Sequence, residues 1–435
     1  MNESIRKPLL ERIYYTLILF LYIYAPPIVG MPYNPAKFML LLVVAEAMYK
    51  NLFHFKQFVI PHILLYIILL IYTYSILLFH GTFGLTMHSG PIQQVLTQLF
   101  EMIPFSLLFT NILIHRKYTV DDFLDILISI FAIQGFIILL EFVSYDIRLF
   151  VQKLIGAGRV KKVGSFQWFR GIAFALTKNY DFALAQSFGL FIIIAKIYRS
   201  QIKWFEYATI GLIFLSIIVS GRTGFIGVAL AVFILVSRIV TFQIFLTSIR
   251  KFILAAGLIY MVYFSLQFVF PSIYASVNNS LLPWAFEFYY NYIETGELTT
   301  ASSDQLQDSH YYDLSDKTLF HGDGKYIRPD GFYYGLTDAG YMRQTMYFGI
   351  GGILLFAIIY VRLAILNFKH LNQTLKFILP SLVLLLFIGH YKGDVFTNSL
   401  ILNRMTYIIG FGLLLFQSKA NEDELYSEED TTITK

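Results

Sequence analysis

The residues best suited to chemistry are cations placed where an apolar chain has no ordinary use for them. Arg222 stands in "SGRTGFIG" (Ser220 to Gly227), a short gap between the apolar stretches "FEYATIGLIFLSIIV" and "VALAVFILV". The start of a helix offers free N–H groups and a positive dipole end, and both favour an anion. Arginine adds a planar fork that matches phosphate oxygens. A second basic stretch, "DIRLFVQKLIGAGRVKKVGSFQWFRGIAFALTKNYD", carries Arg170 and Lys178 among other cations. Two further clusters hold Asp338 and Arg343 ("GLTDAGYMRQTMYFGIGG") and Lys392 ("GHYKGDVFTNS"). Together these groups suit a diphosphate, provided they converge. The competing reading is a set of arginines snorkelling to lipid headgroups, with Gly224 and Gly227 packing helices.

The elements that must position these residues are membrane helices. Of 435 residues, 57% are hydrophobic and 14% charged, with a mean hydropathy of +0.63. A soluble domain carries about a quarter charged residues. Apolar runs long enough to cross a bilayer recur along the chain. The expected class is an all-α polytopic membrane protein with about 12 transmembrane helices. The expected spans are 14–31, 36–50, 58–79, 93–114, 122–144, 182–198, 204–220, 223–240, 252–270, 346–366, 375–391 and 397–416. The first reads as an uncleaved span rather than a signal peptide. Glu101 and Glu141 are the acidic residues expected near span interiors.

Sidedness follows from the cations. With the N-terminus inside, inner segments carry Arg6, Lys7, Arg12, Lys50, Lys56, Arg116, Lys117, Lys196, Arg199, Lys203, Arg238, Arg250, Lys251, Arg362, Lys369 and Lys376. The outer connection "HGTFGLTMHSG" carries no charge. This pattern puts both termini in the cytoplasm. The chain then divides into nine helices in 1–270 with a basic outer loop at 146–181, a large outer loop at 271–345, three helices in 346–416, and an acidic, disordered tail at 417–435.

The large loop begins acidic and is dense in tyrosine, with Trp284 among them. Rings with one apolar face and one polar tip suit amphipathic ligands such as sugars, although an interfacial aromatic belt gives the same composition. His321, in "HGDGKYIRPDG", is a candidate ligand or base, or a solvated loop histidine. Asp338 could accept a proton from a sugar hydroxyl as a general base, or cap the helix that follows it. With no cysteine, no paired histidines at helical spacing and no calcium-loop pattern, neither a metal nor another cofactor is expected.

Three segments resemble the bacterial O-antigen and capsular polysaccharide polymerases, the Wzy class, and the related O-antigen ligases. They are "SGRTGFIGVALAVFIL", "TDAGYMRQTMYFGIGGILLF" and "IGHYKGDVFTNSLILNRM". The basic loop with "FRGIAFALTKNYDFALAQ" resembles the polymerases' other arginine-bearing loop. The resemblance implies a metal-independent glycosyltransferase of GT-C-like fold, acting on undecaprenyl-diphosphate-linked oligosaccharide at the outer leaflet of the bacterial cytoplasmic membrane. It implies that outer-face arginines, here Arg222 and Arg170, bind the diphosphate; joined to the reading of the residues themselves, the expectation is Asp338 and Arg222 in catalysis, with Arg170, Lys178, Arg343, Lys392, Tyr341 and His321 binding substrate. Ligases carry a histidine at the position of Asp338, three residues before Tyr341, which favours polymerase over ligase. Membrane lipids, a chain-length regulator and a flippase are the implied partners; nucleic acid is not expected. A lipid-linked oligosaccharide flippase is the remaining alternative, but no internal repeat of the kind transporters carry is visible.

Overall fold

A computed structural model describes residues 8–53, 56–81, 90–156, 168–170, 172–177, 179–199, 203–238, 257, 260–261, 263–265 and 267–433. Those residues form helices and turns with no strand, apart from one isolated antiparallel bridge between Ile327 and Tyr333. Six helices are long and apolar enough to cross a membrane: Val59–His80, Pro91–His115, Val120–Val143, Tyr180–Arg199, Gly340–His370 and Leu400–Glu422. Trp204–Ser220, Gly224–Ser237 and Ile378–Lys392 are shorter apolar helices. This is the architecture of a membrane-embedded helical protein. The first two expected spans are helices of 16 and 15 residues, Leu9–Tyr24 and Pro35–Tyr49. Of the nineteen residues of the expected span at 252–270, nine lie outside the described residues.

Local sequence explains the boundaries. The first helix stops at Tyr24, short of the expected residue 31, because Ala25 turns to a positive φ of 39° ahead of Pro26 and Pro27. Val120–Val143 begins on a reciprocal cap: Thr119 N–H donates to the Asp122 carboxylate (2.9 Å), and Asp122 N–H donates to the Thr119 hydroxyl (3.2 Å). Within Pro91–His115, Gln98–Met102 forms a π-helical turn just before Pro104, which has no N–H to continue the ordinary ladder. The acidic tail, expected to be disordered, continues as helix through Ile433. It contains many strong helix formers, and no proline or glycine interrupts it.

The chain divides into two compact units, Met1–Ile23 with Ala36–Asp125 and Ser302–Lys435, and Tyr24–Pro35 with Ile126–Ala301. In the first, Glu101 in the π-helical turn takes hydrogen bonds from Arg404 Nε (3.1 Å) and Nη2 (2.8 Å), with both side chains buried. In the second, Tyr180–Arg199 is buried along nearly its whole length. Trp204–Ser220 and Gly224–Arg238 both pack against it. Gly224 makes that packing possible: a Cβ there would lie 2.9 Å from the Ala183 carbonyl oxygen and 2.7 Å from the Ile217 side chain.

The long helix Gly340–His370 is broken at Gly349, whose φ of 66° and ψ of 179° are open only to glycine. The break strips the carbonyls of residues 346–348 of their helical partners. Asp323 N–H donates to Met346 O (2.6 Å), Gly324 N–H to Tyr347 O (3.3 Å), and the Tyr72 hydroxyl to Phe348 O (2.8 Å). The stretch "HGDG" at residues 321–324 is thus the plug of a helix break. The fit is close, since a Cβ on Gly349 would approach Phe320 O to 2.4 Å. Gly349→Ala is therefore expected to destabilise the protein by about 1–3 kcal/mol or more, read as a lower thermal midpoint in detergent. Gly351→Ala would press only on the end of the Tyr72 side chain and serves as the milder control.

Candidate functional site

Two clusters gather the residues that the sequence singles out, one in each unit. In the unit containing Tyr24–Pro35 and Ile126–Ala301, Arg222 occupies the tight turn between Trp204–Ser220 and Gly224–Arg238. Its guanidinium lies 5.2 Å from the centre of the Trp284 ring, and that of Arg170 lies 5.6 Å from the same ring. Phe169 packs on Trp284 as well, at 5.2 Å between ring centres. The indole therefore seats two cations by cation–π attraction. Glu287 forms an ion pair with Arg222, and its other carboxylate oxygen accepts the Ala301 N–H (2.8 Å). Arg170 reaches solvent, yet the protein packed about its guanidinium, and secondly the charge of Arg222, hold its pKa below the ordinary arginine value. Two guanidiniums gathered on one aromatic base are suited to an anion with several oxygens. Lys178 lies outside the described residues.

Not every cation of the basic loop serves this centre. Arg148 is buried against Trp168, 4.5 Å from the ring centre, and donates to the carbonyls of Glu141 (2.8 Å) and Phe142 (3.2 Å). It closes the C-terminal end of Val120–Val143, and burial lowers its pKa to about 10. Glu141 accepts a hydrogen bond from Gln152 (2.6 Å).

In the other unit the site forms around the first turns of Gly340–His370. The buried Arg343 stacks on Tyr333 (3.5 Å to the ring centre) and Tyr326 (4.4 Å). Asp394, in the turn after Ile378–Lys392, is fully enclosed. It accepts from the Tyr326 hydroxyl (2.5 Å), Gln344 Nε2 (2.9 Å) and the N–H of Thr397 (3.1 Å), and also from the Thr397 hydroxyl. Burial alone would raise its pKa. The charge of Arg343 and these hydrogen bonds outweigh that effect and bring it below the usual carboxylate value of 3.8. The buried His390 accepts the Val395 N–H at Nδ1 (3.1 Å), and Tyr341 meets its ring edge-on at 4.6 Å. Tyr341 donates to Phe387 O (3.0 Å).

The remaining expected residues lie at the margins of this cluster. Asp338 is exposed and its carboxylate makes no hydrogen bond among the described residues; only its N–H is engaged, donating to His310 Nδ1 (3.2 Å). The helix begins on Ala339, with no side-chain cap. Lys392 is half-buried in the last turn of Ile378–Lys392. His321 is exposed, beside Phe79. Asp394, His390, Gln344 and Glu287 are not singled out by the sequence. Asp394 sits two residues after Lys392, and the signal for it is a carboxylate in a turn that interrupts apolar helix. Comparison with protein-family models, with curated proteins and with solved structures gives no match.

Two outcomes follow from this geometry. Glu287→Gln removes the carboxylate that competes for Arg222 and should raise pyrophosphate affinity by about tenfold or more, while Arg222→Ala should lower it by a similar factor, measured calorimetrically on the solubilised protein. Asp394→Asn places an amide donor among hydroxyl and amide donors and should cost about 1–3 kcal/mol of stability. Because the folded pKa of Asp394 is depressed, its contribution is complete above the ordinary value of 3.8 and is lost as pH falls below it. The thermal midpoints of wild type and Asp394→Asn should accordingly converge on acidification.

Proposed function

We propose that this chain is a membrane glycosyltransferase that polymerises oligosaccharide repeat units carried on undecaprenyl diphosphate, as the Wzy-class polymerases it resembles do. The observation that carries the reading is the pair Arg170 and Arg222 on the single ring of Trp284. Two forked cations seated on one aromatic base offer a diphosphate more donors than a single snorkelling arginine would.

In this reading an acceptor sugar hydroxyl attacks the anomeric carbon of the lipid-linked chain. A new C–O glycosidic bond forms as the C–O bond to the diphosphate breaks. The leaving diphosphate takes the electron pair, and the arginines stabilise its developing charge. We assign the base that takes the hydroxyl proton to Asp338 on the chemistry and exposure of its carboxylate alone. Arg343, held by its two tyrosines, and the half-buried Tyr341 bind substrate beside it. Catalysis takes place on the outer face of the bacterial cytoplasmic membrane, with both termini inside. The burial of Glu101 against Arg404, and of Glu141 with Gln152, counts against transport, because each acidic residue near a span interior already has a partner.

The test uses a strain deleted for this gene, complemented with wild type, Arg222→Ala or Asp338→Ala at matched expression, with the surface polysaccharide resolved on a gel. Wild type should restore a ladder, Arg222→Ala should reduce polymer by about a hundredfold or more, and Asp338→Ala should leave mainly single repeat units. Long chains persisting on the lipid carrier in the deletion strain would point to ligation, and repeat units trapped on the cytoplasmic side would point to flipping.

A further inference from the structure

A groove of about 460 Å³ opens beside the Gly340–Phe348 half-helix, on the surface of the large loop. Its size lies within the roughly 300–1,000 Å³ of small-molecule sites. Tyr312, Tyr334 and Met346 are among the residues that line it, and Thr318, Asp323 and Arg328 supply its polar groups. From this lining we infer that the groove is a saccharide subsite, holding one or two sugar rings of the substrate chain; the inference rests on the polymerase reading for the source of that sugar.

Each of the two tyrosines is fixed by a contact already in place. The Tyr312 hydroxyl donates to Gly335 O (2.9 Å) and meets Met346 Sδ (3.4 Å), which fixes the position of the ring. Tyr334 packs on the small apolar cluster of Leu306, Ala339, Met342 and Met346. Tyrosine faces of this kind take the C–H face of a sugar ring.

The polar groups are equally determined. Asp323 has its backbone N–H bound to Met346 O at the helix break, and its carboxylate accepts the Thr318 hydroxyl (3.1 Å). A carboxylate has about four acceptor positions, so Asp323 retains capacity for sugar hydroxyls. Arg328 pairs with Asp330 (2.8 Å) and presents further donors from a rigid fork.

The alternatives fit less well. A diphosphate would meet the Asp323 carboxylate and an arginine already neutralised by Asp330. An acyl chain would leave the charged groups that line the groove unsatisfied. A saccharide uses both the rings and the mixed polar groups. The position is apt as well: Tyr333, next to Tyr334 in the chain, is the ring stacked on Arg343.

The test is saturation-transfer NMR on the full-length protein in nanodiscs, using single repeat units hydrolysed from the host's own surface polysaccharide. Wild type should transfer saturation to ring protons of the sugar. Tyr334→Ala should weaken binding by about five- to tenfold, and Tyr334→Phe should retain it. Asp323→Asn should weaken binding several-fold and, should Tyr334→Ala fail to fold, decides the question by itself. Transfer that is absent in wild type, unchanged in Asp323→Asn, or abolished equally by soluble glycerophosphate would overturn the inference. Because the readout is binding, it separates from the polymerase reading. Sugar bound in a strain that still makes long chains after deletion would leave the groove standing and remove the polymerase. A polymerase confirmed by its ladder but without this binding would remove the groove alone.

Discussion

The loop-bearing unit depends on a demand imposed by an apolar surrounding: every backbone carbonyl must find a donor. Gly349 breaks the long helix and leaves three carbonyls to be satisfied. Two loop amides and one tyrosine hydroxyl meet that demand. From this anchor the loop runs back over the half-helix, lays Tyr326 and Tyr333 on Arg343, and sets Tyr334 and Asp323 around the groove. Arg343 in turn supplies the charge that keeps Asp394 ionised while buried. A side chain on Gly349 would disturb the whole series.

The charges inside the protein obey the same constraint. Glu101 with Arg404, and Asp394 near Arg343, are buried carboxylates with cations at hand. Removing one member of such a set exposes the other to the full cost of burial, which exceeds the net benefit of the pair. These pairs therefore fix which helices must adjoin more than they add to stability.

Much of this is legible in the sequence, and the failures have physical causes. Apolar runs locate the six helices that are long and apolar enough to cross a membrane, because a bilayer crossing demands a continuous apolar length. The first span is expected too far along because "APP" reads as apolar while its backbone cannot continue a helix. The break at Gly349 is hidden because "GIGG" offers three glycines and composition does not say which one has positive φ. The sequence expects Arg170, Lys178, Arg222, Asp338, Arg343 and Lys392 to converge, and Arg170 and Arg222 share the ring of Trp284. Glu287, 65 residues from Arg222, carries no sequence signal that it would join them. The tail departs from expectation because acidity argues for disorder, while the absence of glycine and proline lets the helix run on.

The plug at the helix break also bears on the order in which the chain organises itself. Asp323 and Met346 lie only about twenty residues apart, so closing the loop between them costs little conformational entropy. The contact of Tyr72 with Phe348 spans 276 residues and must wait for the helices to assemble. The loop can thus seize the half-helix while the last helices are still being made. The late-assembling bundle then closes around a platform whose tyrosines and arginine are already in register.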